Sequence, residues 1–236
     1  MALGIQTSSG SGDVRPYITY DAKAGRAFRI DRRQGGDGMW SSDKVDISRD
    51  LTFIADFASI KVGWINYTQQ GPVRRLATLG KEPVPARPAD VTSEGKPAFK
   101  QGFELTILLS NACGGGPARE FSSTAGCVIE AVDALHDAFM AAPENGQGKL
   151  PVVKMADTVP IKAGQSTNYK PVFQIVAWKD RPSELPADAG QPSAPAPAAT
   201  PPATGSTVVA PPVQAAQPAA PAPQPATVSG GSDDFG

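Results

Sequence analysis

The chain has 236 residues and a formal net charge of −1 at pH 7, from 22 Lys and Arg against 23 Asp and Glu. All 22 basic residues and 19 of the acids lie in residues 1–181, which carry +3, while Glu184, Asp188, Asp233 and Asp234 give the remainder −4. Two cysteines exclude a disulfide framework, and the absence of any run of about 18 apolar residues excludes a membrane-spanning helix.

Residues 1–13 are polar and rich in Gly and Ser, lack the apolar core of a secretory signal, and read as a disordered arm. The protein is therefore expected to be soluble and intracellular. Tyr17-Ile-Thr-Tyr20 and Arg26-Ala-Phe-Arg-Ile-Asp-Arg-Arg33 flank a turn at Gly25, which predicts a hairpin. Tyr17, Tyr20 and Phe28 among Arg26, Arg29, Arg32 and Arg33 make its best short basic-aromatic patch. The Gly-rich stretch 34–38 reads as a loop, followed by Trp40 and the acids Asp43, Asp46 and Asp50. Asp46-x-Ser48-x-Asp50 resembles the start of a calcium loop, but Leu51 stands where Gly is needed and Phe57 where the bidentate Glu belongs. These acids are expected to be solvated loop residues rather than metal ligands.

Leu51–Phe57 and Ile60–Tyr67 predict a strand pair, with Ile60, Val62 and Trp64 on one face of the second and Trp64 the expected core aromatic. Gly63 inside that strand suggests a bend or bulge. Val73–Leu79 predicts a further short strand, and four prolines make 80–98 an irregular loop. Phe103, Leu105, Ile107 and Leu109 alternate in a strand over Lys100–Leu109. The Gly-Gly-Gly at 114–116 lacks a following Gly-Lys-Ser/Thr, so it is no phosphate-binding loop.

Val128, Val132, Leu135 and Phe139 follow helical spacing, widened by Ile129 and Met140. The helix is expected from a cap at Ser122 or Ser123 to about Ala142, with Cys127 in the core and His136 at its boundary. Leu150–Met155 and Tyr169–Trp178 predict the last two strands, joined by a polar loop over Thr158–Thr167. The order of elements gives a mainly β domain with one helix, an OB-fold-like β-barrel with core strands at 51–57, 60–68, 100–110, 150–156 and 169–178. A different α+β sheet covered by one helix is the alternative.

From Pro182 onward there is no Lys or Arg, and 27 of 55 residues are Pro or Ala. Such a segment buries too little apolar area to offset its chain entropy, so 182–228 reads as a disordered, extended linker. It leads to a tip, residues 229–236, containing Asp233, Asp234 and Phe235. The domain reading is thus an arm at 1–13, a body at 14–181, the linker and the tip.

A globular body, a low-complexity linker and an acidic tip with Phe resemble bacterial and phage single-stranded DNA-binding proteins, although here Gly236 follows Phe235. Ser166-Thr-Asn-Tyr-Lys-Pro-Val-Phe-Gln-Ile-Val-Ala-Trp178 and Arg119-Glu-Phe-Ser-Ser-Thr124 are similar to segments of the tailed-phage members. The resemblance implies a non-enzymatic, cofactor-free protein of replication or recombination in the cytoplasm, in a bacterial host if phage-encoded. It also implies that the tip recruits replication or repair proteins.

OB-folds hold single strands by stacking bases on aromatics while a basic groove follows the phosphates. Candidates for that work are Tyr17, Tyr20, Trp40, Tyr67 and Trp178 with Arg26, Arg29, Arg32, Arg33, Lys61, Arg74, Arg75, Lys100, Lys170 and Lys179. No catalytic or metal constellation is found in the sequence. Oligomeric state stays open, a homo-oligomer included. The other readings are a phage structural or assembly protein without nucleic-acid affinity, and a metal-dependent enzyme using Asp46.

Overall fold

The computed structural model describes residues 16–34, 39–69 and 71–186. These form a mainly β structure with one helix: β1 (Tyr17–Asp21), β2 (Arg26–Gln34), β3 (Trp40–Asp46), β4 (Thr52–Thr68), β5 (Gly71–Thr78), β6 (Lys100–Leu109), β7 (Arg119–Ser123), α1 (Gly126–Ala141), β8 (Leu150–Ala163) and β9 (Ser166–Lys179). The strands join in one sheet of order β3-β2-β1-β7-β6-β4-β8-β9, with β5 added beside β4. All registered pairs are antiparallel except β1–β7. The sheet curls into a half-barrel. Tyr169 at the start of β9 donates its N–H to Ala22 O (2.6 Å) and accepts the Tyr20 hydroxyl on its carbonyl (3.1 Å). Strands far apart in sheet order thereby meet around the core.

The predicted strand pair 51–57 and 60–67 is one continuous strand. Ala58-Ser59 offers no Gly, Pro, Asn or Asp for a tight turn, and the register against β6 slips between Asp56 and Lys61 instead of reversing. Ser59 bridges the slip: its hydroxyl donates to Asp56 O (2.7 Å) and accepts from Thr106 N (3.2 Å), replacing the interrupted ladder. The strand β4 is the spine of the fold, shared by β6, β8 and β5.

One face of the sheet packs on α1. Phe53, Ala55 and Phe57 of β4, Phe103, Leu105, Ile107 and Leu109 of β6, and Phe121 of β7 meet Val128, Val132, Leu135 and Phe139. Each large side chain so buried contributes roughly 1.5–3 kcal/mol relative to exposure. Phe53, Phe103, Phe121 and Phe173 also make edge-to-face pairs. The predicted helical stripe is buried as expected, Cys127 included, but Met140 is exposed. The helix begins at Gly126, because Ser122 and Ser123 belong to β7. Ser123 still serves the helix start, accepting Ala125 N–H at 3.1 Å.

Three further elements differ from expectation. Residues 40–46, expected as loop, form edge strand β3, wholly polar save Trp40 and Val45. The expected loop at Thr158–Thr167 is the end of a long β8–β9 hairpin turning at Gly164 (φ 62°). The body also runs past 181. Arg181 holds the buried carboxylate of Asp56 bidentately (3.1 and 2.6 Å), and Leu185 is buried with Ile54, Leu108, Leu150 and Val152. Residues 182–186 therefore cover a second apolar cluster on the face away from α1 and are not linker.

Candidate nucleic-acid interface

In a paired sheet, registered residues share a face and alternate residues along each strand return to it. The registers Tyr17↔Ile30, Tyr17↔Glu120, Thr106↔Glu120, Lys61↔Glu104, Ile65↔Lys100, Ile65↔Arg74 and Tyr67↔Pro72 therefore define one outer face, opposite α1. Of the predicted DNA-binding residues, this face collects Tyr17, Arg26, Arg32, Lys61, Tyr67, Arg74 and Lys100. They come from β1, β2, β4, β5 and β6, which only the sheet topology brings together.

The centre of the face is charge-neutralised. Lys61 Nζ lies 3.1 Å from Glu104 Oε1, and Arg74 pairs with Glu104 (3.3 Å) and with Glu120. Burial and the nearby Glu104 charge raise the Glu120 carboxyl above its ordinary value, against the opposing pull of Arg74 and Ser122. The two ends of the face differ from its centre. Arg32 sits over the Tyr17 ring at 5.2 Å, and Lys44 over the Phe28 ring at 3.8 Å. At the far end, Tyr67 is 54% exposed beside Lys100. Among the described residues, Arg32, Lys44 and Lys100 form no ion pair. Aromatic faces with unneutralised cations are what a single strand uses, for its bases and phosphates respectively.

The other predicted residues are elsewhere. Tyr20 is buried, on the same strand parity as Ile18, and burial pushes its hydroxyl up to about 12. It cannot stack on a base. Arg29 is an internal tie: it donates to Cys113 O (2.7 Å) and Asp31 (2.8 Å), its guanidinium occupying the space a side chain at Gly114 would fill. This requires glycine at 114, and the following Gly115 and Gly116 share its positive φ. Asp31 also takes Arg119 at 2.6 Å. Burial acts to raise Asp31, but the Arg119 hydrogen bond and the two guanidinium charges outweigh it and hold the carboxyl below its ordinary value.

Arg26, on the outer face, pairs with Asp46 (3.2 Å) and Arg33 with Asp43 (3.5 Å), so two of the acids expected in a solvated loop are cross-strand partners. Asp46 also accepts from Ser48 N–H and Oγ, which with Arg26 lower its carboxyl despite some burial. Lys170 pairs with Glu130 of α1 at 3.0 Å. Trp178 stacks on Phe139 with ring centroids 6.0 Å apart, one face against the core. Lys179 is half-buried at the end of β9. Arg75 registers with Trp64 on the opposite face of the sheet. The side chain of Trp40 and the tip residues Asp233, Asp234 and Phe235 lie outside the described residues.

Trp64 is not the core residue that its alternation with Val62 suggested. It is half-buried, donates Nε1–H to Pro85 O (2.9 Å) and lies under the Arg87 guanidinium at 5.0 Å. The strand β4 overruns the helix-covered layer here, and the 80–98 loop takes its place. Sequence reasoning also missed the carboxylates Glu104 and Glu120 and the cation Lys44. Among the described residues, no helix is long and apolar enough to cross a membrane. Compared with family models, curated proteins and solved structures, the chain matches none.

Proposed function

We propose that this protein is a non-enzymatic binder of single-stranded DNA with little sequence preference, acting in phage replication or recombination in the cytoplasm of a bacterial host. The observation that carries the reading is the outer face of the sheet. It offers Tyr17 with Arg32, Phe28 with Lys44, and Tyr67 with Lys100, on one curled sheet. Stacking on aromatic faces tolerates any base, and cations along the path meet phosphates whatever the sequence. The tip at Asp233, Asp234 and Phe235 would engage replication or repair proteins through an apolar pocket ringed by basic groups.

Fluorescence anisotropy of the full chain with labelled oligothymidylate, and with duplex of equal length, tests the reading. Affinity for the single strand should exceed that for duplex and fall with salt, with a log–log slope of about −0.7 for each phosphate met. Salt-independent binding, or preference for duplex, would overturn it.

A further inference from the structure

Beside Tyr67 the outer face ends in a pocket of ≈ 330 Å³. Its floor is Ile65, buried, whose Cδ1 occupies space that a side chain on Gly102 would take. One wall is the turn Thr92–Gly95, held by Thr92 N–H to Lys96 O (2.7 Å) and Gly95 N–H to Thr92 O (2.9 Å). The Val91↔Pro97 bridge and Ala98 N–H to Asp90 O (2.9 Å) fix that wall to its stem. Tyr67 and Lys100 are also on the lining.

This volume is at the small end of ligand sites, which run about 300–1,000 Å³. It suits one nucleotide and not a stack of several. Its chemistry suits one too: an apolar floor, an aromatic ring, hydroxyls on Thr92 and Ser93, the Glu94 carboxylate, and an ammonium on Lys100. Lys96 is occupied by Glu94 at 2.9 Å, which leaves Lys100 as the cation for a phosphate. Mixed donors and acceptors can meet the edge of any base, which preserves low sequence preference.

We infer that the pocket takes a single unstacked nucleotide of the bound strand, its base against the Tyr67 ring above Ile65 and its phosphate on Lys100. This rests on the single-strand reading above and adds a fixed point of attachment to it.

The test uses the full chain, oligothymidylate, and the same oligonucleotide carrying one 5-iodouracil for photocrosslinking. Irradiation should link the iodouracil to the peptide containing Tyr67. Tyr67→Leu should abolish that link and weaken binding roughly 5- to 150-fold, the range for one stacked base, while Tyr67→Phe should retain both. Lys100→Met should reduce the log–log salt slope by about 0.7, one phosphate. Tyr67 is exposed, so circular dichroism of its variants should match wild type. If wild type binds the oligonucleotide but Tyr67→Leu binds equally well and crosslinks map elsewhere, the pocket inference falls and the proposed function stands. If wild type binds no single strand, the proposed function falls first.

Discussion

The two halves of β4 have the same backbone and opposite environments. From Phe53 to Phe57 every residue is buried, with α1 below and the 181–186 segment above. From Lys61 to Thr68 the outer side carries ion pairs and an exposed tyrosine. The slip between Asp56 and Lys61 separates them, and beyond it only the inner side of the strand still packs on the helix-covered core, through Ile60 and Val62. One continuous strand thus runs from a stretch buried on both sides to one whose outer side is partly exposed, with Ile60 and Ile65 still buried. The first half should answer to stability measurements and the second to binding and pH.

The largest expected effect is in the first half. Phe53→Ala removes a fully buried ring with edge contacts to Phe121 and Phe173. Urea denaturation should show a loss of about 3–5 kcal/mol. The variant that remains folded should bind oligothymidylate as wild type does. A loss of affinity at full folding would break the division between the halves.

Next is the clasp over the same half. Arg181→Ala leaves the Asp56 carboxylate buried without its partner, which should cost about 3 kcal/mol. Replacing both partners with apolar residues, Asp56→Leu with Arg181→Met, should restore most of that loss, because the desolvation of two charges is removed with their attraction. Chemical denaturation of the three proteins checks this. Equal losses in the single and double variants would mean that 181–186 depends on the ion pair rather than on Leu185.

The same contrast explains what could be read from sequence. Strand β6 and helix α1 were legible because a buried face imposes a period of 2 or 3.6 on Phe103–Leu109 and Val128–Phe139. Strand β3 was not, since Ser41, Ser42, Asp43 and Lys44 are all exposed and an edge strand with no buried face leaves no period. Nor was the outer half of the β8–β9 hairpin, for the same reason. The break expected at residues 58–59 is a register slip inside one strand, which no local residue pattern distinguishes from a boundary. Cations were legible as residues, but not their neutralisation: that Lys61 faces Glu104, and Arg74 both acids, depends on the registers of four strands, β5, β4, β6 and β7. Tyr20 could have been recognised as core, because it shares strand parity with Ile18. The clasp of Asp56 by Arg181, 125 residues apart, had no local signal.

The smallest effect concerns protons, and Glu120 of β7, at the centre of the outer face, should differ in sign from the acids of β2 and β3. Glu120, opposite Arg74, has its carboxyl raised in the folded protein, mainly by burial. Between the unfolded value and the raised folded one, the native state binds more protons, so this group adds stability as pH falls through its folded value. Asp31 and Asp46 are lowered, so the stability they contribute is present above the unfolded value and is lost as pH falls through their folded values. Glu120→Gln mimics the protonated state that the fold prefers. It should be more stable than wild type at pH 7, and the gap should narrow in acid as wild-type Glu120 takes up its proton. Asp31→Asn should do the reverse, being less stable at pH 7 with a deficit that shrinks in acid. Neutralising Glu120 also leaves Arg74 with only Glu104, which makes the outer face more positive. Oligothymidylate affinity of Glu120→Gln at pH 7 should therefore rise modestly, and that of Asp31→Asn should not. Urea titrations at pH 7, at pH 5 for Glu120 and below the ordinary aspartate value of 3.8 for Asp31, beside anisotropy at constant salt, measure both. A Glu120→Gln protein less stable than wild type at pH 7 would mean that the bond to Arg74 outweighs the cost of burial and that the centre of the face is held together by its charges.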